Sequence, residues 1–557
     1  MYKFTRLLAL TTLVLLMQPR FVIAGSVSVD VQTTLLDGTS QLFGKILPGD
    51  TIYLVAGQRD YLLIRNFYGL PNKPYIFINK GGIVTFDTDH AYGISIQNCR
   101  YFKLTGSGVT SNFYGIEINR VANGAGIGIG ALSSDFEIDH VSIRNVLIGG
   151  IYAKTDPDCS YTTTREKFTQ YNTIIHDNYV ENSGNEGLYI GSTKYTGQTL
   201  NCNGKDTLLM PSLLDGVRVY NNIIKYSGWD GIQVSSAFQN CQVYDNMILF
   251  DSQAEYVNQM SGIMLGGGSK CDCYNNYISD GKGCGIENHG LGGNRIFNNI
   301  IVNAGITYAW NDFSATKMKY GIFVTDNSVL SDSSFYLMNN TIVNPKSDGI
   351  RFASVKSKNS LISSNAIINP GNFDYYENGN TQFKGENSYV MIPDKTSSVL
   401  ITNNYFSRDQ SKAGFYPDFS LQKNSPLIDA GYTKQPRVSF DFKYHIRRSD
   451  NPPDIGAYEY DPQTSVLQLK KETRSFTLYP NPVKKELTIG FQIDSETDVL
   501  FIIYDIYGNQ LSVNKQFKLQ QGTYSNQIEI QNLPSGLYLC TFQTNHHNDS
   551  GKFIKIE

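Results

Sequence analysis

Charged side chains are scarce in this chain, and long apolar segments are almost absent. Asp, Glu, Lys and Arg make up 17% of the 557 residues, and the formal net charge is −3. No basic run with interleaved aromatic residues is present, which excludes the usual surface for nucleic acid. Beyond the N-terminus, no segment is long and apolar enough to cross a bilayer, so we expect no transmembrane segment.

Cysteine is also scarce, because eight residues cannot form a disulfide scaffold for a chain of this size. Cys159 and Cys202 both lie in polar insertions, and we expect them to pair in an oxidising compartment. Cys241 aligns with Cys271, which is followed by Cys273, so these thiols are expected to stack in the core. A metal site is the alternative, but no nearby pair of histidines completes a tetrahedral ligand set.

Glycine is abundant, with 50 residues, and one short phrase recurs around it. The phrase is Gly, then Ile or Leu, then any residue x, then usually an apolar residue. It begins at Gly93, Gly115, Gly150, Gly187, Gly231, Gly262, Gly285, Gly321 and Gly349. The closest spacings are 22 and 23 residues, as from Gly93 to Gly115 and from Gly262 to Gly285. A repeat of this length indicates one small unit stacked many times.

An Asn-Asn or Asp-Asn pair runs in step with the glycine phrase. Its second Asn falls at Asn178, Asn222, Asn246, Asn276, Asn299, Asn340, Asn365 and Asn404. Asn tolerates the left-handed backbone of a sharp corner, and stacked Asn side chains can hydrogen-bond as a ladder. We therefore interpret these pairs as the corners of stacked coils.

From Tyr92 to Phe406 the apolar residues alternate in short runs that Gly or Asn interrupts, with no helical period between them. Such a pattern predicts an all-β fold, a right-handed parallel β-helix. Each coil would contribute two or three short strands to long parallel sheets. Inward apolar side chains would then stack on their counterparts about 4.8 Å away, one coil along.

The two ends of the chain predict export and a second domain. Lys3 and Arg6 precede an apolar run and small residues, which is typical of a signal peptide over residues 1–24. The β-helix is expected over residues 25–460, followed by a polar linker over residues 461–471. Residues 472–557 contain several short strands with turn signals, which predicts a small β-sandwich.

Both domains resemble known families. The phrases at residues 425–431 and 454–460 resemble the closing segment of bacterial secreted, pectate-lyase-like β-helix proteins. The opening Gly-Asp-Thr-Ile-Tyr-Leu at residues 49–54 resembles the first coil of the same group, which includes polysaccharide lyases related to chondroitinase B and alginate lyase. This superfamily also contains hydrolases, epimerases and binding proteins, so the resemblance implies the fold more than the reaction.

The order of phrases after Leu478-Tyr479-Pro480-Asn481-Pro482 resembles the C-terminal sorting domain of type IX secretion substrates in Bacteroidetes. The resemblance implies passage through the periplasm and across the outer membrane, with the type IX machinery as a partner. The mature protein would then be secreted or attached to the cell surface. We expect it to be a monomer.

Side chains alternate between core and solvent along a strand, so the residue before each Gly and the residue x are expected to point outward. Glu186 and Asp230, each before a Gly, should lie about 5 Å apart on adjacent coils. Such a pair could hold Ca²⁺ together with backbone oxygens. It could instead act as the acid and nucleophile of a retaining glycosidase.

Aromatic and polar residues near this pair would suit a sugar, since aromatic faces pack on pyranose rings while carboxylates and amides bind hydroxyls. The predicted substrate-binding residues are Tyr152, Tyr189, Trp229, Gln233 and Glu287.

A lyase would need a base beside the uronate and a cation for its carboxylate. The candidates are Lys194, His289, Tyr189 and Arg351. Chondroitinase-B-like lyases place a catalytic Lys after an acidic, calcium-binding strand. The segment from Glu186 to Lys194 resembles that layout, but Tyr189 stands where a second acid is expected. Gln233 stands where a second basic residue is expected.

The sequence thus predicts an exported polysaccharide-active protein, either a Ca²⁺-assisted lyase or a glycoside hydrolase. The alternative is a non-catalytic glycan-binding protein or adhesin. Convergence of Glu186, Asp230 and Glu287 in a groove would favour an enzyme, whereas carboxylates spread over a flat face would favour binding alone.

Overall fold

Short strands form the whole architecture of the computed structural model. It describes residues 25–41, 43–109, 112–305, 307–308, 315–371, 374–375, 382–383, 389–447, 451–460, 476–479, 483–493, 495–505, 510–534, 536–544 and 548–555. The predicted signal peptide and linker lie outside these residues. The predicted domain boundaries stay predictions.

Two long parallel sheets make up a parallel β-helix, as the repeat predicted. The 12-stranded sheet contains Leu35–Asp37, Leu62–Arg65, Tyr92–Gln97, Ala125–Gly130, Ile151–Ala153, Leu188–Ile190, Ile232–Val234, Ser261–Leu265, Cys284–Asn288, Ile322–Val324, Ile350–Phe352 and Val390–Met391.

The 23-stranded sheet contains Ser26–Val29, Thr51–Arg59, Tyr75–Thr88, Arg100–Thr105, Ile116–Val121, Ser134–Asp139, Val141–Val146, Thr173–His176, Tyr179–Ser183, Arg218–Tyr220, Ile223–Lys225, Cys241–Tyr244, Met247–Leu249, Cys271–Tyr274, Tyr277–Ser279, Arg295–Phe297, Ile300–Val302, Tyr336–Met338, Thr341–Val343, Ser360–Ser363, Ala366–Ile368, Val399–Thr402 and Tyr405–Ser407.

Smaller elements complete the described chain. Thr169–Tyr171, Leu213–Asp215 and Ala237–Gln239 form a three-stranded sheet, Gln198–Cys202 pairs with Lys205–Leu209, and Asp374–Tyr375 pairs with Gln382–Phe383. Short 3-10 helices span Phe43–Lys45, Ala315–Lys317 and Gln410–Ala413.

Two small antiparallel sheets follow near the C-terminus. One contains Phe476–Tyr479, Glu486–Ile493 and Gly522–Glu529. The other contains Gln510–Leu519, Thr497–Asp505, Gly536–Gln543 and Asn548–Lys555.

The repeated glycine phrase builds the core of the β-helix. Ile232 pairs in register with Ile263, and both side chains are fully buried. The glycine is required by close approach, since a Cβ on Gly231 would lie 2.5 Å from the Ile248 side chain and 2.6 Å from the Gly262 carbonyl oxygen. The phrase therefore fixes the distance between coils.

One phrase lies in a different sheet from the rest. Ile116 and Glu117, which follow Gly115, pair with Val141 and Ser142 in the 23-stranded sheet. The corresponding strand of the 12-stranded sheet is Ala125–Gly130. The expectation that Glu117 belongs to the same outward column was therefore wrong, because two sheets of one coil can carry the same phrase.

The two residues of each Asn pair have separate roles. The first residue carries the left-handed backbone, with φ of 55° at Asn221 and 54° at Asn275. The second residues are stacked and joined by seven amide hydrogen bonds of 2.9 to 3.1 Å, running from Asn178 to Asn404. The sequence predicted both a corner and a ladder for each pair. In the structure the first residue forms the corner and the second residue forms the ladder.

Two disulfides link described residues. Cys159 is bonded to Cys202, the pair expected from the sequence. Cys241 and Cys271, expected as stacked thiols, are also bonded, because their register brings the Cα atoms to 4.5 Å. Because Cys271 lies in this disulfide, it offers no thiolate to the alternative Cys-x-Cys metal site, while Cys273 keeps a free, buried thiol.

Candidate functional site

A single column of side chains follows the face of the 12-stranded sheet. Consecutive strands place Tyr152, Tyr189, Gln233, Met264, Glu287, Phe323 and Arg351 in register. This is the column x that the sequence predicted from Tyr152 onward. A cleft of about 680 Å³ opens over its middle, and its lining includes Thr193, Tyr195, Gln233, Met264, Glu287, His289, Lys319, Tyr320 and Phe323.

Glu287 and His289 form the polar centre of this cleft. The His289 Nε2 atom lies 3.3 Å from the Glu287 Oε2 atom, while Nδ1 lies 2.6 Å from the Thr325 hydroxyl oxygen. Their side chains are 13% and 14% exposed. Burial opposes ionisation of Glu287 most strongly, but the hydrogen bond and charge of His289, with the charge of Lys319, outweigh it and lower its pKa. The pair can therefore exchange protons with a molecule in the cleft.

Lys319 lines the same cleft and was not foreseen from the sequence. It follows the 3-10 helix Ala315–Lys317 and is 7% exposed. Its ammonium forms no hydrogen bond or ion pair with any residue in the described part of the chain. Tyr320, the next residue in the chain, and Phe323 also line the cleft, and their ring centres lie 5.2 Å apart.

Asp230 does not face solvent, which corrects the expectation of an outward column before each Gly. It is fully buried, and its Oδ1 atom accepts hydrogen bonds from the Ser261 backbone N–H at 2.7 Å and hydroxyl at 2.8 Å. The carboxyl thus turns back against the next coil. Burial, and then the negative charge of Glu287, raise its pKa well above the usual range.

Glu186 is likewise buried, at 1% exposure. The Tyr152 hydroxyl donates to its Oε2 atom at 2.7 Å, and burial raises its pKa. Neither Glu186 nor Asp230 lines the cleft. Burial favours the neutral form of both carboxyls, and a cation held by this pair stays a prediction.

The other predicted residues are divided between cleft and rim. Gln233 lies at the cleft floor, fully buried, with Nε2 3.2 Å from the Met264 sulfur. The indole ring of Trp229 stacks on Tyr256 at 4.4 Å, and Tyr256 is 55% exposed beside the cleft-lining residues Val257 and Asn258.

Tyr152 and Tyr189 lie next to the cleft on the preceding coils. Their rings meet edge to face at 5.2 Å, and the Lys154 ammonium lies 4.6 Å from the centre of the Tyr189 ring. Lys194, the predicted base, is exposed and does not line the cleft. The three carboxylates therefore do not converge in the groove; Glu287 alone reaches it.

A second ionisable cluster lies on the 23-stranded sheet. Glu137, Asp139 and His176 place one ligand atom each within 4.8 Å of one another, and the group could hold a metal ion. Lys103 lies among them, with its ammonium 2.6 Å from Glu137 and 2.7 Å from Asp139. The sequence missed this cluster because its members belong to no repeated phrase.

Comparison with known families identifies the C-terminal segment. Residues 477–557 match the family described as the secretion system C-terminal sorting domain. The chain ends in a secretion sorting domain. It is therefore a secreted or cell-surface protein, and the sorting domain implies interaction with the type IX secretion machinery.

Solved structures with a similar fold are distant. A GH136 lacto-N-biosidase from Eubacterium ramulus shares 12% identity with a TM-score of 0.43, covering 65% of this chain and 62% of that one. The pectate lyase Pel9A shares 15% identity with a TM-score of 0.36, covering 78% and 98%. A PL6 family polysaccharide lyase from Pseudopedobacter saltans shares 14% identity with a TM-score of 0.30, covering 77% and 100%. Likeness this distant does not extend to activity.

No curated protein matches the sequence. In the part of the chain that the structure describes, no helix has the length and apolar character needed to cross a membrane.

Proposed function

We propose that this secreted β-helix protein binds a polysaccharide in the cleft above Gln233, Glu287 and Phe323 and cleaves it by acid–base chemistry. The observation that carries the proposal is the Glu287–His289 pair, a hydrogen-bonded carboxylate and imidazole at the floor of a cleft with aromatic walls. Aromatic surface beside a few convergent polar groups is typical of a carbohydrate site.

β-Elimination fits this cleft better than hydrolysis. A glycosidase uses two carboxyl groups on opposite sides of the scissile bond, whereas Glu287 is the one carboxylate among the described lining residues. Elimination needs a base to remove the proton beside a uronate carboxyl and an acid for the leaving oxygen. His289, oriented by Glu287, is suited to the first role, and Ca²⁺ at Glu186 and Asp230 is not required.

The test is incubation of the full chain with a panel of uronic-acid and neutral polysaccharides. Unsaturated products absorb near 235 nm, and new reducing ends report cleavage of either kind. Glu287→Gln should lower the rate on a cleaved glycan by about 10²- to 10⁴-fold, the usual contribution of an acid–base group. Glu166→Gln, at an exposed position outside the cleft, is the matched control. Equal rates for the parent and Glu287→Gln would contradict this assignment.

A glycan-binding protein without activity is the second candidate. The stacked pair Trp229–Tyr256 at the cleft rim favours it, because an exposed aromatic ring can hold a sugar without any reaction. Glycan binding with no cleavage product for any member of the panel would support this alternative.

A further inference from the structure

We propose that His289 accepts the substrate proton at its Nδ1 atom, and that Asn327 is a positioning residue that holds the imidazole in the tautomer protonated at Nε2. The inference rests on the proposed function, because it assigns the reacting atom and a further residue of the same cleft. It does not depend on which sugar is bound.

The Nε2 atom of His289 faces an acceptor. Glu287 Oε2 lies 3.3 Å from it. The pKa of this carboxyl is lowered in spite of its burial, so Glu287 is ionised near neutral pH. An ionised carboxylate only accepts hydrogen bonds. The hydrogen between the two side chains therefore belongs to Nε2.

The Nδ1 atom faces a donor on the other side of the ring. The Asn327 Nδ2 atom lies 3.2 Å from it, and a side-chain NH₂ group only donates. The Thr325 hydroxyl, 2.6 Å from the same nitrogen, can donate or accept and so fits either tautomer. A bare Nδ1 accepts from both groups, whereas a hydrogen on it would meet the amide hydrogens of Asn327. The partners of the two nitrogens thus select one neutral tautomer.

The turn that carries Asn327 is fastened to the coils before it. Asn327 follows the strand Ile322–Val324, one coil after His289. The neighbouring Ser328 hydroxyl donates to the His289 carbonyl oxygen at 2.6 Å and accepts from the Gly268 backbone N–H at 3.0 Å. These bonds hold the turn and the imidazole in one arrangement.

The side of Nδ1 that faces Asn327 is open to the cleft. His289 and Asn327 both line it, and Asn327 is exposed. A bound sugar can displace the amide and present its own proton to the unshared pair on Nδ1. The imidazolium formed keeps its Nε2–H on Glu287, whose charge stabilises it as the carboxylate of a catalytic triad stabilises its histidine.

The electrons of the broken C–H bond stay on the substrate. In β-elimination they form the new C=C bond while the glycosidic C–O bond breaks, and the leaving oxygen takes its proton from water. His289 then carries one proton more than before and returns it to water, so the chain is unchanged after each turnover.

The experiment locates the hydrogens of His289 by ¹⁵N NMR on the full chain labelled with ¹⁵N-histidine, because ring nitrogens with and without a hydrogen have well-separated shifts. A His289→Gln variant identifies the signals of this residue among those of the seven histidines. Asn327→Asp replaces the NH₂ donor by an acceptor of the same size, and Asn327→Gln keeps a donor. Asn258→Asp, at another exposed position of the cleft lining, is the matched control for the added charge.

We expect the parent to carry a hydrogen on Nε2 and none on Nδ1. Asn327→Asp should place a hydrogen on Nδ1 as well, because two carboxylates then face the ring, whereas Asn327→Gln and Asn258→Asp should keep the parental pattern. On a glycan that the parent cleaves, kcat of Asn327→Asp should fall about 10- to 100-fold, the range for one hydrogen bond to a charged group, with a smaller change in KM. Equal melting temperatures establish that the variants are folded.

The results that would overturn the inference differ in what they leave standing. A hydrogen on Nδ1 in the parent refutes it and leaves the proposed function intact, since His289 can then act through Nε2. Parental signals in Asn327→Asp refute the positioning role of Asn327. If no glycan of the panel is cleaved, the proposed function and the role of Nδ1 as base both fail. The parent spectrum alone decides the tautomer should Asn327→Asp not fold.

Discussion

Two lysines of this protein lie beside an acid and a histidine, but their surroundings differ. Lys103, on the 23-stranded sheet, contacts Glu137 at 2.6 Å and Asp139 at 2.7 Å, and His176 contacts Glu137 at 3.0 Å. Lys319, in the cleft of the 12-stranded sheet, has no ionic partner among the described residues. In the Lys103 cluster opposite charges lie within ion-pair distance, whereas no described carboxylate lies within that distance of the Lys319 ammonium.

This difference distinguishes buried charges that stabilise the fold from buried charges that serve a function. A closed network stabilises the coil that carries it, because each ion has its counter-charge. An incomplete network leaves a charge without its counter-charge, which lowers stability. The predictions below test this distinction, from the largest expected effect to the smallest.

Removal of the two lysines should change stability by different amounts. Lys103→Met leaves Glu137 and Asp139 without their cation, and we expect it to lower the free energy of unfolding by about 2–4 kcal/mol. The lower part of the range for buried pairs applies because the Lys103 side chain is 30% exposed. Lys319→Met breaks no ion pair and removes a largely buried charge, so it should leave the free energy of unfolding unchanged or raise it. Urea unfolding measures both, and equal losses would remove the distinction between the clusters.

The two buried aspartates should respond to pH in opposite directions. Burial, followed by the charge of Glu287, raises the pKa of Asp230, so the folded chain holds a proton that the unfolded chain has released. Stability then falls as pH rises above about 4. Asp230→Asn removes this loss, and its melting temperature relative to the parent should increase between pH 4 and pH 8.

Asp139 is the comparison for Asp230, because its pKa is shifted in the opposite direction. Burial opposes its ionisation most strongly, but His140 and Lys103 outweigh burial and lower its pKa to about 2. Its contribution is therefore present above pH 4 and lost as pH falls through about 2. Asp139→Asn should melt below the parent throughout pH 4 to pH 8, in contrast to Asp230→Asn. Parallel curves for the two variants would contradict the opposite shifts.

The effect of Zn²⁺ on the melting temperature should differ between the parent, in which the Lys103 ammonium occupies the cation position, and Lys103→Met, in which that position is open. In the parent, the Lys103 ammonium lies between the carboxylates that Zn²⁺ would need, so millimolar Zn²⁺ should raise the melting temperature by less than about 1 °C. In Lys103→Met, the group Glu137, Asp139 and His176 is open to the ion, and a rise of several °C is expected. His176→Ala in the same background is the control. The same rise in parent and Lys103→Met would show that Lys103 does not block the ion.

The sequence predicts the fold well because stacking repeats the same requirement many times. Gly231 and Ile232 are found in phrases that also occur on neighbouring coils, so the column from Tyr152 to Arg351 could be predicted without a structure. The phrase could not show that Gly115 lies in another sheet. It could not show either that Asp230 turns toward Ser261, since this depends on the backbone of the next coil.

The site was less predictable because the repeat does not determine which side chains of the insertions meet those of the coils. Lys319 belongs to an insertion, and nothing periodic relates its position to Glu287. Its proximity to Tyr320, just before a repeated Gly, is the one signal that could have drawn attention to it. Glu137 and Asp139 alternate with buried Phe136 and Ile138 on one strand, but alternation alone does not bring His176 beside them.

The Asn ladder also gives the coil stack an electrical direction. Each side-chain amide accepts at Oδ1 from the preceding coil and donates through Nδ2 to the next, so all the amide dipoles from Asn178 to Asn404 point the same way. Aligned dipoles add, as peptide dipoles do along an α-helix, and each bond polarises its neighbours. Replacing one central Asn, such as Asn246, would remove two of the seven amide–amide bonds and divide one long dipole into two short ones.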